Sequence, residues 1–163
     1  MPTLSIARSA TARLLAMLAL SAAALSAAAT LHAQEGMLSV PSPHDVATTM
    51  DRLEEALANE GMTVFARVDH AAGAEKAGLE LPPTEVLTFG NPKVGTPLMV
   101  CSPSIAIDLP QKMLAWEEPD GTTRLGWNDP KWLAERHGTE GCDAVLEKVA
   151  GALNAFATAA TGE

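Results

Sequence analysis

Apolar and polar residues alternate along this chain in two distinct periods. Between His44 and Gly61 the apolar positions Val46, Met50, Leu53 and Leu57 recur at steps of three and four, with Asp51, Arg52, Glu54 and Glu55 between them. That is the spacing of an amphipathic helix lying on an apolar surface, stopped by Gly61. Met62 to Val68 and Glu85 to Phe89 are rich in β-branched and aromatic residues, which predicts strands. Met37 to Val40 predicts a further short strand, ended by Pro41 and Pro43. Lys112 to Glu117 and Thr123 to Trp127 flank Glu118-Pro119-Asp120-Gly121. A Pro-Asp-Gly turn between two such runs predicts a hairpin, because glycine supplies the positive φ the turn needs.

Helical signals fill the gaps. Ala71 to Leu79 is alanine-rich, and Gly95 to Val100 reads as a short helix with Pro97 in its first turn. Ser102 to Pro110 is apolar but broken by Pro103 and Pro110, and reads as a loop or short edge segment. Asn128-Asp129-Pro130 predicts a helix start, with Asp129 at the N-cap and Pro130 in the first position. Glu140 to Thr158 carries the stripe Val145, Leu146, Val149, Leu153 and Phe156. About five strands and two long helices, not strictly alternating, predict an α+β fold. The arrangement is a two-layer sandwich, with a mostly antiparallel sheet and both long helices on one face.

The first 33 residues follow another logic. Arg8 and Arg13 precede an uncharged, alanine-rich run from Leu14 to Thr30, then Leu31-His32-Ala33. A basic start, an apolar middle and a small-residue exit predict a signal peptide cleaved near Ala33, and so a periplasmic or secreted protein. The domain proper then spans 34–163, with no membrane attachment once the signal is removed. Without Arg8 and Arg13 the balance is 9 basic against 20 acidic residues, or −11, compared with −9 for the full 163 residues. Such a surface repels phosphate backbones, which argues against nucleic-acid partners. In an oxidising compartment the two cysteines, Cys101 and Cys142, are expected to pair.

Short motifs carry a resemblance. His70-Ala71-Ala72-Gly73-Ala74, Phe89-Gly90-Asn91-Pro92-Lys93, Gly95-Thr96-Pro97-Leu98-Met99, Asp108-Leu109-Pro110, Trp116-Glu117 and Asn128-Asp129-Pro130 together resemble the DUF302 family. The resemblance runs from about Met37 to Leu153. It implies a small two-layer α/β domain with a TATA-binding-protein-like topology, and self-association as a homodimer. It implies no activity and supplies no functional residues.

Candidate chemistry therefore comes from the residues themselves. Asp69-His70 at a strand end offers a histidine beside a carboxylate, which can serve as general base or metal ligand. The other reading is a histidine that bonds a nearby carbonyl or caps the next helix. Gly90-Asn91-Pro92-Lys93-Val94-Gly95-Thr96 offers close backbone approach with donors on Lys93 and Thr96. It lacks P-loop spacing, and its other reading is a tight strand-to-helix turn. Asp108 sits before Leu109-Pro110 and reads as a turn former. The expected ligand set is His70, Asn91, Lys93, Thr96 and Asp108, where the strand ends meet, for a small ligand or a protein partner. The alternative is a copper- or haem-handling protein or an enzyme that uses His70, with Met99 and Cys101 as further soft donors. No HxH, HxxxH, CxxC or MxxM spacing supports a metal site, and there is no GxSxG, HExxH or CxxCH.

Overall fold

The computed structural model describes residues 32–162, with side chains from residue 35 onward. The expected signal peptide lies outside the described residues except at its last two positions. Those fall in a short strand β1, His32–Gln34, which pairs with β2, Met37–Ser42. Helix α1, Val46–Asn59, follows, then β3, Thr63–Asp69, and a short helix α2, His70–Lys76. After β4, Thr84–Gly90, come helix α3, Pro92–Cys101, and a 3₁₀ turn, Pro103–Ile107. The hairpin of β5, Gln111–Glu117, and β6, Thr123–Asn128, leads into α4, Pro130–His137, and α5, Asp143–Thr161.

The strands form one antiparallel sheet in the order β1-β2-β6-β5-β4-β3. The five strands expected from the apolar pattern are all present, and β1 adds a sixth at the edge. The two long helices α1 and α5 pack on each other and on one face of the sheet. The fold is the expected α+β two-layer sandwich.

The starts of α1, α2 and α4 each have a local cause. Asp45 Oδ1 accepts the Thr48 N–H at 2.7 Å, Asp69 Oδ1 accepts that of Ala72 at 2.8 Å, and Asp129 Oδ1 accepts that of Lys131 at 2.9 Å. Gly121 supplies the positive φ of the hairpin turn, at 83°. The core forms where the α1 stripe, Met50, Leu53 and Leu57, meets the alternate residues Leu87, Phe89, Met113, Ala115, Leu125 and Trp127 of the sheet. From α5, Phe156 meets Phe89 edge-on, with ring centroids 6.0 Å apart. Trp127 is in this core, whereas Trp116, three register steps away, packs on the opposite face of the sheet over Gly126.

Two segments differ from the sequence expectation. Helix α3 begins at Pro92 rather than near Gly95, because Asn91 caps it and Pro92 occupies its first turn. Pro97 therefore lies inside the helix. Ser102 to Pro110 is not a free loop: its centre winds into the 3₁₀ turn, which is tied to the end of α4.

At the far edge, Arg67 of β3 bonds Glu85 of β4 at 2.7 Å and Asp51 of α1 at 2.5 Å. Burial opposes its charge, but the hydrogen bonds to Glu85 and Asp51 outweigh it, and the guanidinium is held above its ordinary range. Arg52, next to Asp51 on α1, and His44, just before the helix, bond the carbonyl of Gly162, fastening the end of α5.

Candidate functional site

A cleft of about 310 Å³ opens between the end of β4, helix α3, the segment after the 3₁₀ turn, and one side of α5. Its floor is aromatic and aliphatic: Phe89, Phe156, Leu153 and Leu98. Small residues leave the space. A Cβ on Gly90 would stand 3.4 Å from Cε2 of Phe65, and one on Gly95 would stand 3.9 Å from Leu109. Ala106 and Ala152 line the remaining walls. The volume falls at the lower end of small-molecule pockets and equals roughly ten waters' share of liquid. Polar groups are confined to Asn91, Thr96, Gln111 and Lys148. Lys148 is exposed and makes no ion pair among the described residues, and the Thr96 hydroxyl has no hydrogen-bond partner among them.

The expected site residues separate into three groups. Asn91 and Thr96 line the cleft. The amide of Asn91 is largely committed to the fold, however: Oδ1 accepts the Lys93 N–H at 3.0 Å, and Nδ2 reaches the Gly61 carbonyl at 3.5 Å. Lys93 is exposed and outside the cleft lining.

His70 is elsewhere, for a topological reason. The antiparallel register sets Thr63 opposite Gly90 and Asp69 opposite Glu85. The C-terminal ends of β3 and β4 therefore fall at opposite ends of the pair. Asp69 lies six residues along β3 from Thr63, the residue opposite Gly90, roughly 20 Å at ~3.3 Å per residue. A single site uniting His70 with Asn91 is thus not formed. Asp69 is the cap of α2, and His70 is an exposed residue of its first turn.

The copper set fails on the same ground. Met99 lines the cleft, His70 is at the other end of β3, and Cys101 lies at disulfide distance from Cys142, with Cα atoms 6.4 Å apart. No cluster of three or more His, Cys, Asp or Glu side chains is placed to hold a metal among the described residues.

Asp108 is more than a turn former. Its Oδ2 lies 2.6 Å from Nε2 of His137, and its Oδ1 lies 3.3 Å from Arg136. Sequence reasoning missed this partner and also missed α5 as a cleft wall. Lys148 and Ala152 follow Asn91 by more than fifty positions, and nothing local marks them.

The comparisons with known proteins agree with this fold. A family model described as "Domain of unknown function DUF302" matches residues 38–156. The crystal structure of an uncharacterized conserved protein DUF302 from Bacillus stearothermophilus superposes with a TM-score of 0.70 at 22% identity, covering 78% of this chain and 99% of that one. At that identity the likeness concerns the fold. Among curated proteins, the fluoride-specific ion channel FluC 1 of Brucella suis biovar 1 is 52% identical over 102 residues, 63% of this chain. FluC 2 of Brucella melitensis biotype 1 matches to the same extent. The chain spans about 40% of the length of these relatives.

Proposed function

Because the chain belongs to the DUF302 family, described as a domain of unknown function, we propose a function from its cleft: a binding module for a small amphiphile. The single observation that supports this is the apolar cleft of about 310 Å³ with Thr96, Gln111 and Lys148 as its uncommitted polar groups among the described residues. An apolar body would cover Phe65, Phe89 and Leu153, and a carboxylate or similar acceptor would meet Lys148 and Thr96. The strongly acidic chain repels anions in general, so a local cation is what lets a carboxylate approach. Octanoate is a suitable probe. It should raise the melting temperature in a saturable way, and Lys148→Ala should weaken that response. Absence of a shift at saturating octanoate would remove this reading. Export to the periplasm or beyond remains part of the proposal, resting on the leader pattern in residues 1–33.

The identity of 52% to fluoride channels favours a second reading. No helix among the described residues is long and apolar enough to cross a membrane. We therefore place this domain beside a fluoride channel as a companion, with conduction left to the channel. Cells lacking the chain should become more sensitive to fluoride, and unchanged sensitivity would count against the idea.

Self-association, which the family resemblance implied, is placed on the open face of the sheet. That face carries Val68, Val86, Leu114 and Trp116, none of them fully buried. Leu114→Glu should convert a dimer to a monomer by light scattering. A protein that is already monomeric would sink this assignment.

A further inference from the structure

We propose that Ser104 is a nucleophile for acyl transfer from carboxylic esters with an apolar acyl group, with His137 as its general base and Asp108 as a positioning residue. Ser104 Oγ lies 2.9 Å from Nδ1 of His137, and Nε2 of the same ring lies 2.6 Å from Asp108 Oδ2. The side chains of His137 and Asp108 are 6% and 14% exposed, while Ser104 faces solvent. An accessible hydroxyl thus stands in front of a covered imidazole and carboxylate. This is the arrangement that nucleophile activation requires.

The proton count is consistent with the roles. An ionised carboxylate only accepts, so Nε2 carries the ring proton and donates it to Asp108. The neutral ring then presents the Nδ1 lone pair to the Ser104 hydroxyl. The two ring nitrogens are exchanged relative to the usual serine–histidine–aspartate arrangement. The relay needs only one lone pair on the serine side and one N–H on the carboxylate side. The Ser102 hydroxyl donates to the His137 carbonyl at 2.8 Å, docking the serine-bearing turn on the end of α4. The other neighbour of Ser104 Oγ is Ser102 Oγ at 3.1 Å, a longer contact to a less basic acceptor. Arg136 holds the second carboxylate oxygen of Asp108.

The acyl preference comes from the turn. In a 3₁₀ segment side chains three residues apart lie over one another. Ile107 therefore stands beside Ser104, and it is 74% exposed with nothing covering it. An apolar acyl group would cover that surface as its carbonyl meets the hydroxyl. The amphiphile cleft plays no part in this reading.

The reaction balances without a co-reactant other than water. Ser104 Oγ bonds to the ester carbonyl carbon as its proton passes to Nδ1 of His137. The bond from that carbon to the alkoxy oxygen breaks, and the leaving alkoxide takes the proton from Nδ1. Water then attacks the acyl-Ser104 carbonyl and gives a proton to Nδ1. The released serine oxygen recovers it. The sum is ester and water to carboxylic acid and alcohol.

The test is labelling of the full chain with an alkyl fluorophosphonate, with the adduct located by peptide mapping. A single adduct on Ser104 is expected, abolished in Ser104→Ala. Asp108→Asn should slow labelling on the order of a hundredfold or more, with the half-saturating probe concentration unchanged. Ser104→Ala removes only an exposed hydroxyl, so it decides the question even if Asp108→Asn does not fold. An unlabelled Ser104, an adduct elsewhere only, or undiminished labelling of folded Asp108→Asn would overturn the proposal.

Discussion

Gly90 and Phe65 face each other at the mouth of the cleft, where a Cβ on Gly90 would stand 3.4 Å from the Phe65 ring. Phe65 is 56% exposed although it sits on a strand. The register shift between Val64 and Ala66 places it in a bulge, and bulges re-aim side chains. In the binding account a ligand covers this ring. Phe65→Ala should weaken octanoate about tenfold, ~1.4 kcal/mol, with little change in melting temperature. Calorimetric titration of the two proteins measures it, and equal affinities would exclude Phe65 from the site.

Trp116 packs across Gly126 on the other face of the sheet. A Cβ at position 126 would fall 2.9 Å from Cζ3 of Trp116 and 3.2 Å from the Leu38 carbonyl oxygen. Backbone cannot yield on one side and a fused ring yields little on the other. Gly126→Ala is expected to destabilise by about 1–3 kcal/mol, measured by urea unfolding.

Cys101 ends α3 and Cys142 precedes α5, so a bond between them would join two walls of the cleft across 41 residues. We expect no free thiol in protein taken from an oxidising compartment, read as intact mass with and without reduction. Cys101→Ala/Cys142→Ala should cost about 3–4 kcal/mol on the loop-entropy account. Two alkylatable thiols before reduction would contradict it.

Asp45 contributes a pH dependence of known sign. The hydrogen bonds from Thr48, its backbone N–H first, hold the Asp45 carboxyl below its ordinary value. A carboxyl depressed in the folded state stabilises above its unfolded pKa, and that contribution is lost as pH falls through the folded value. The melting-temperature gap between the wild type and Asp45→Ala should therefore be full at neutral pH. It should close in acid below the ordinary carboxylate range. A gap independent of pH would show that the charge is not involved.

Local chemistry was the legible part of the sequence. The hairpin at Asp120-Gly121 and the cap at Asp129-Pro130 each depend on two or three adjacent residues, and both form as expected. The helix stripes Met50-Leu53-Leu57 and Val149-Leu153-Phe156 were equally readable, because one periodicity decides which face is buried. The site was not. The position of His70 relative to Asn91 depends on strand direction, which no single segment encodes. The cleft needs α5 to lie beside α3, and the contact of His137 with Ser104 spans 33 positions. Such relations emerge only from tertiary packing.

The most direct test of the binding account is calorimetric titration of octanoate into the wild type and Ala152→Trp side by side. Ala152 lies on the exposed face of α5 and lines the cleft, so an indole there fills the cavity without disturbing the core. The account predicts saturable binding with a negative heat-capacity change in the wild type, and none in an Ala152→Trp protein that melts normally. Equal binding by both proteins, or none by the wild type, would contradict it.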